Sequence, residues 1–108
     1  MKAEVDASLL YRMSRAMIPK LKKYRPIDTT ITLIAVDDKL FLKGEFENMQ
    51  TMPATVIQPG NCTMLLLHFA DVAKAQKDSK SLVIETANDK VHIGWMLVKK
   101  QTPHRDSF

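Results

Sequence analysis

The chain contains few of the residues on which many kinds of protein site depend. Its 108 residues include one cysteine, Cys62, and three glycines that are spread along the sequence. A single cysteine excludes an internal disulfide, and isolated glycines exclude a glycine-rich phosphate-binding loop. We therefore expect Cys62 to be a quiet, part-buried thiol.

Residue patterns typical of catalysis and metal binding are also missing. The histidines, His68, His92 and His104, lack the close spacing and the cysteine partners of a metal site. None of the serines stands in the sequence context of an activated nucleophile. The sequence thus predicts no catalytic residues, no metal ligands and no cofactor, and we expect a protein that is not an enzyme.

Long hydrophobic runs are absent as well. No apolar run approaches the ~20 residues that a helix needs to cross a bilayer, and the first residues do not resemble a signal peptide. We expect a cytoplasmic protein that does not enter a membrane. With 45% hydrophobic and 26% charged residues, the composition favours one globular domain over residues 1–101. Residues 102–108 show no periodicity, and we expect a disordered tail there.

A faint internal repeat is the most informative pattern that is present. Residues 36–42, with the sequence VDDKLFL, return as residues 87–93, with the sequence ANDKVHI. Asp and Asn tolerate the left-handed backbone of tight hairpin turns, so each copy predicts two strands joined at an acidic turn. We interpret the chain as a pseudo-repeat in which a strand, a helix and a hairpin occur twice.

Hydrophobic periodicity places the elements of an α+β fold along the chain. Apolar residues at helical spacing predict helices over residues 7–18 and 64–77, the first capped by Asp6 and ended or kinked by Pro19. Alternating patterns predict strands over the intervening segments: residues 2–5, 30–36, 39–46, 52–57, 82–87 and 90–98. Pro59-Gly60 predicts a turn. Trp95 shares the phase of Val91 and Ile93, which favours burial in the core over a role as a binding anchor.

The first helix carries an outer face of one charge sign. Basic side chains occur there and just beyond it, and no acidic residue interrupts them between Ala7 and Arg25: Arg12, Arg15, Lys22 and Lys23. A charged outer face is typical of any surface helix. Cations without nearby acids repel one another, however, unless a polyanion such as a nucleic-acid backbone lies opposite.

Several local sequences, taken in order, are similar to those of a known family. They are residues 2–10 at the start, Arg25-Pro26 after the first helix, residues 38–44 at the first hairpin, Pro53-Ala54, residues 58–60 with Thr63, and residues 69–72. In this order they resemble one domain of the bacterial DNA sliding clamp, the beta subunit of DNA polymerase III. The resemblance covers nearly the whole chain, although no single segment is diagnostic.

The chain also departs from that family in three ways. Residues 27–30 are shorter than the usual segment after Arg-Pro, and residues 94–98 replace a small polar segment with bulkier, apolar residues. A clamp subunit of this family has three such domains, whereas this chain has the length of one. The family's peptide-binding pocket lies mainly between later domains, so no pocket residues can be carried over.

The resemblance implies a fold and a set of candidate residues. The fold is two antiparallel sheets with two helices that face DNA. By position, the cations that would face double-stranded DNA are Arg12, Arg15, Lys22 and Lys23, with Lys74 and Lys77 from the second helix. Such contacts to phosphates would not depend on base sequence. A lone domain would have to self-associate, and we expect a homo-oligomer that uses exposed strand edges. The candidate interface residues are Gly94, Trp95, Met96, Leu97 and Val98.

The expected function is therefore that of a clamp-like accessory protein of DNA replication or repair. One alternative is a protein-interaction module that binds a clamp or its clients without contacting DNA. A second alternative is a small-molecule-binding or enzymatic protein with a cleft between sheets and helices.

Overall fold

The protein is described by a computed structural model, which covers residues 1–18, 29–45 and 48–101. Two helices and a series of strands alternate along these segments. In chain order they are β1 (Lys2–Asp6), α1 (Ala7–Met17), β2 (Thr30–Val36), β3 (Lys39–Gly44), β4 (Met49–Pro53), β5 (Thr55–Gln58), β6 (Gly60–Leu65), α2 (Leu66–Ala75), β7 (Ser81–Ala87), β8 (Lys90–Ile93) and β9 (Met96–Lys99).

The strands form two antiparallel sheets. The five-stranded sheet has the order β5-β1-β7-β8-β9, and the four-stranded sheet has the order β4-β3-β2-β6. The helices α1 and α2 pack against each other, and each also contacts the strands. The predicted α+β class, with two adjacent helices on antiparallel sheets, is confirmed.

The core joins both helices to both sheets. Fully buried side chains come from α1 (Leu10), α2 (Phe69), the four-stranded sheet (Ile31) and the five-stranded sheet (Ile84). Apolar surface removed from water contributes about 25 cal/mol per Å², so this shared core fixes the helices on the sheets. No helix in the part of the chain that the structure describes is long and apolar enough to cross a membrane.

The ends of α1 follow from two residues that the sequence analysis identified. The Asp6 carboxylate accepts a hydrogen bond from the Leu9 amide at 2.8 Å, which satisfies a free donor of the first turn. At the other end, Ile18 is extended, with φ −73° and ψ 124°. Because Ile18 precedes Pro19, the helical conformation is sterically disfavoured there.

The start of α2 was predicted wrongly. The helix begins at Leu66 rather than at residue 64, because residues 60–65 form β6, which pairs with β2 in the four-stranded sheet. This strand was not predicted from the sequence, and Pro59-Gly60, where it begins, was interpreted as a turn. The helix also ends early, at Ala75, so Lys77 lies in the turn that follows.

The strand predicted over residues 52–57 is two strands in different sheets. β4 pairs with β3, whereas β5 pairs with β1. At the crossing point the Ala54 amide donates to the Asp38 carbonyl oxygen at 3.0 Å. A pattern of alternating apolar residues does not reveal which partner strand each half chooses, because partner choice depends on distant residues.

Both predicted acidic turns are present. Asp37 and Asp38 have φ values of 52° and 56°, and Asn88 has a φ of 55°. They join β2 to β3 and β7 to β8. The element order strand, helix, three strands also occurs twice, from β1 to β4 and from β6 to β9. The first strand of each half pairs with the sheet of the other half. The internal pseudo-repeat itself stays a prediction.

The predicted burial of Trp95 is wrong. Its side chain is 74% exposed, and Leu97 is 52% exposed. The predicted strand over residues 90–98 is interrupted by a turn in which Gly94 has a φ of 60°, a conformation that favours glycine. The alternation resumes after the turn in the opposite phase, so Val98 is buried instead.

Candidate nucleic-acid interface

The outer face of α1 presents two of the predicted cations. Arg12 and Arg15 are exposed, whereas Leu10 and Ser14 are buried on the opposite side. Positions three apart on a helix are neighbours on one face. The helix therefore holds both guanidinium groups toward solvent while its apolar stripe packs on the sheets.

The second helix adds cations but also an acid. Lys74, in its last turn, and Lys77, just beyond it, are exposed. Asp71 and His68 are exposed on the same helix. The single charge sign that characterises α1 thus does not extend to α2, because Asp71 precedes Lys74 by one turn and an exposed Asp78 follows Lys77.

An aromatic ring lies between these two groups of cations. The Arg15 guanidinium carbon is 5.9 Å from the centre of the Tyr11 ring, and the Lys77 ammonium nitrogen is 5.7 Å from it. Arg15 also donates a hydrogen bond from Nη1 to the Tyr11 hydroxyl oxygen at 3.1 Å. A cation from each side therefore converges on Tyr11, which sequence reasoning did not identify.

None of these cations is neutralised by a carboxylate within the residues that the structure describes. The ion pair found there is Lys2 with Glu85, at 4.0 Å, on the five-stranded sheet. The cations of the helix layer, which we call the basic face, are Arg12, Arg15, Lys74 and Lys77. Unpaired cations on one face raise the local positive potential and attract polyanions. The other two predicted DNA contacts, Lys22 and Lys23, lie outside the described residues.

The predicted oligomer interface lies elsewhere, at the edge of the five-stranded sheet. Among the residues that the structure describes, β9 is the last strand of that sheet and pairs with β8 alone. Of the predicted residues, Trp95 and Leu97 are exposed, Gly94 and Met96 are half-buried, and Val98 is buried. The structure thus brings an open backbone edge next to two exposed large apolar side chains.

A buried amide fixes the turn that carries Trp95. Gln76 is 2% exposed and donates from Nε2 to the Ile93 carbonyl oxygen at 2.7 Å. Its Oε1 accepts from the Trp95 amide at 3.3 Å. In the sequence, Gln76 is a polar residue that directly follows the apolar residues of a helix. The sequence does not show which backbone groups it binds.

The described residues offer little for catalysis. They contain no group of three or more His, Cys, Asp or Glu side chains that could hold a metal ion. A shallow groove of about 390 Å³ lies open to solvent beside Glu4, Asp6 and Lys80. Burial raises the pKa of the Cys62 thiol to about 11, against the opposing effects of Lys100 and the N-terminus. A protonated, buried thiol is unreactive, which agrees with the expectation for Cys62.

Solved structures with the same arrangement of helices and sheets are bacterial clamps. The Helicobacter pylori beta clamp in complex with 5-chloroisatin matches 98% of this chain with a TM-score of 0.79 and 23% identity. The same clamp bound to a DNA ligase peptide matches 98% with a TM-score of 0.76 and 22% identity. The beta subunit of the Streptococcus pyogenes DNA polymerase matches 99% with a TM-score of 0.73 and 14% identity. The chain has the fold of a sliding-clamp domain.

The extent of the match limits what it shows. The chain spans about a third of the length of these clamps, since it covers 34%, 34% and 33% of them. No protein-family model and no curated protein matches the chain. The similarity establishes the fold of a sliding-clamp domain.

Proposed function

We propose that this sliding-clamp-like domain is a non-enzymatic accessory protein of DNA replication or repair, which binds duplex DNA without sequence preference. The observation that carries the proposal is the basic face. Arg12 and Arg15 are exposed on α1, Lys74 and Lys77 are exposed at the end of the adjoining α2, and none of them has a carboxylate partner in the described segments.

The chemistry of this face suits a phosphate backbone. Lysine and arginine side chains neutralise phosphates and release the counterions condensed on DNA, which provides affinity that does not depend on base sequence. Both helices expose these side chains to solvent. Such a surface fits contact with the outside of a duplex.

Binding around a duplex would also require several domains to assemble. One domain of this fold does not surround a duplex, so several domains have to join, either as copies of this chain or as parts of a longer one. The open edge of β9, with Trp95 and Leu97 beside it, offers backbone donors and acceptors and apolar area to a neighbouring strand. A partner at this edge would also cover side chains that are otherwise exposed to water.

Charge-neutralising variants test the DNA-binding proposal. Replacing Arg12, Arg15, Lys74 and Lys77 with Ala should weaken duplex binding by well over tenfold at low salt in a fluorescence polarisation titration. The matched control replaces with Ala four lysines of the sheets that reach solvent and lie outside β9: Lys2, Lys39, Lys43 and Lys90. It makes the same change in net charge away from the helices and should bind nearly as the parent does. Equal weakening in the two variants would show that the basic face has no special role.

A second candidate function is a protein-interaction module. It is favoured by Trp95, because tryptophan is enriched among the residues that dominate binding energy at protein interfaces. Its exposed neighbour Leu97 enlarges the apolar surface. If the parent does not bind duplex DNA at low salt but self-association or clamp binding depends on Trp95, this function replaces the first.

A further inference from the structure

Tyr11 is half-buried on α1, and its ring holds two cations that come from different parts of the chain. Arg15 lies one turn further along the same helix, whereas Lys77 belongs to the turn after α2. Both charged groups are within 6 Å of the ring centre, at 5.9 Å and 5.7 Å. The phenol oxygen adds a hydrogen bond from Arg15 at 3.1 Å.

The Tyr11 ring restricts the positions of the Arg15 and Lys77 charged groups. The face of an aromatic ring is electrostatically negative and attracts cations over it. Arg15 and Lys77 have the same charge and repel each other, and the attraction of each to the ring opposes that repulsion. Because long charged side chains lose rotamer freedom when they bind, side chains that are already restrained pay less of that entropy on binding.

We infer that Tyr11 is a positioning residue. It holds Arg15 and Lys77 across the boundary between the two helices so that this pair of cations can bind a DNA phosphate. The inference rests on the proposed function and extends it to a residue that carries no charge. Tyr11 acts through the two cations and does not itself contact DNA.

Two substitutions separate the parts of the tyrosine side chain. Tyr11→Leu removes the ring and the hydroxyl, and it should weaken duplex binding about 3- to 10-fold, the range expected when one long side chain that was restrained has to be ordered on binding. Tyr11→Phe keeps the ring but not the oxygen that accepts from Arg15, so it should retain most of the affinity. Leu9→Ala is the matched control, since Leu9 is half-buried on the same helix and should leave affinity unchanged.

A double-mutant cycle tests whether Tyr11 acts through the cations. In a background that carries Arg15→Ala and Lys77→Ala, the further change Tyr11→Leu should have no effect on affinity. Weakening of the same size in both backgrounds would overturn the inference, because Tyr11 would then act on DNA or on the fold. Unchanged affinity of Tyr11→Leu in the parent background would overturn it too.

A measurement without DNA distinguishes failure of this inference from failure of the proposed function. In the free protein, NMR signals of the Lys77 side chain should be shifted by the ring in the parent and in Tyr11→Phe, and should return to ordinary values in Tyr11→Leu. Unshifted signals in the parent would overturn the inference alone. A parent that shows these shifts but does not bind duplex DNA would overturn the proposed function and, with it, the role of Arg15 and Lys77 in binding a phosphate.

Discussion

The side-chain amide of Gln76 donates a hydrogen bond to the carbonyl oxygen of Ile93 over 2.7 Å, in a site where Gln76 is 2% exposed. This contact joins the end of α2 to the last residue of β8. Because Gln76 also accepts from the Trp95 amide, one side chain fixes the turn between β8 and β9. The basic face and the sheet edge are therefore parts of one continuous packed structure.

Replacing Gln76 with Leu should lower the free energy of unfolding by about 1–3 kcal/mol. The substitution leaves the Ile93 carbonyl and the Trp95 amide without their partners, and buried polar groups without partners are costly. Urea denaturation measures the change. The control Gln58→Leu alters an exposed glutamine and should change stability by less than about 0.5 kcal/mol. Equal stability of the two variants would contradict this account of the turn.

Gly94 should not tolerate any side chain. Its φ of 60° is strained for alanine, and an added Cβ would meet Gln76 Oε1 and, at 2.8 Å, Leu82 Cδ2. Gly94→Ala should cost about 1–3 kcal/mol of folding free energy. Gly94→Asn, which tolerates this φ better, should also be destabilised because its Cβ meets the same atoms. Thermal melting of the two variants checks this, and parental stability of Gly94→Asn would show that space is not limiting.

The Cys62 thiol should make stability depend on pH in the alkaline range. Its pKa is raised by burial from 9.0 to about 11. A raised pKa stabilises the folded state fully below pH 9, and this contribution, about 2–3 kcal/mol, is lost as the pH rises toward 11. The variant Cys62→Ala should therefore lose less stability than the parent between pH 9 and 11. Parallel stability curves would contradict the burial of an ordinary thiol.

Self-association should depend on Trp95 and Leu97. Both are exposed in the single chain, so changing both to Ala should leave the fold intact and reduce assembly in sedimentation experiments. Met49 and Ile57 are exposed to similar extents, 56% and 58%, and changing them to Ala provides the control. A parent that stays monomeric at high protein concentration would rule out self-association through this edge.

Sequence reasoning was most accurate where single residues dictate local geometry. Asp6 caps α1, the helix ends at Met17 with an extended Ile18 just before the proline in the sequence, and the predicted hairpin turns are present. Each of these effects operates over a few residues. The outward position of Arg12 and Arg15 followed in the same way from helical spacing.

Sequence reasoning failed where distant residues decide the structure. β6 has little hydrophobic pattern in Gly60-Asn61-Cys62-Thr63, and it becomes a strand because β2 provides a partner. The assignment of Trp95 to the core was wrong because the turn at Gly94 reverses which residues of the strand face the core. The contact of Lys77 with Tyr11 depends on how α1 and α2 pack.

The salt dependence of duplex binding tests the central claim most directly. Each phosphate that the protein neutralises contributes about −0.9 to the slope of log K against log salt concentration. If Arg12, Arg15, Lys74 and Lys77 each meet a phosphate, duplexes of unrelated sequence should give the same slope, between about −3 and −4 per bound domain. A slope near zero, or affinities that differ strongly between sequences at one salt concentration, would contradict a sequence-neutral DNA contact through the basic face.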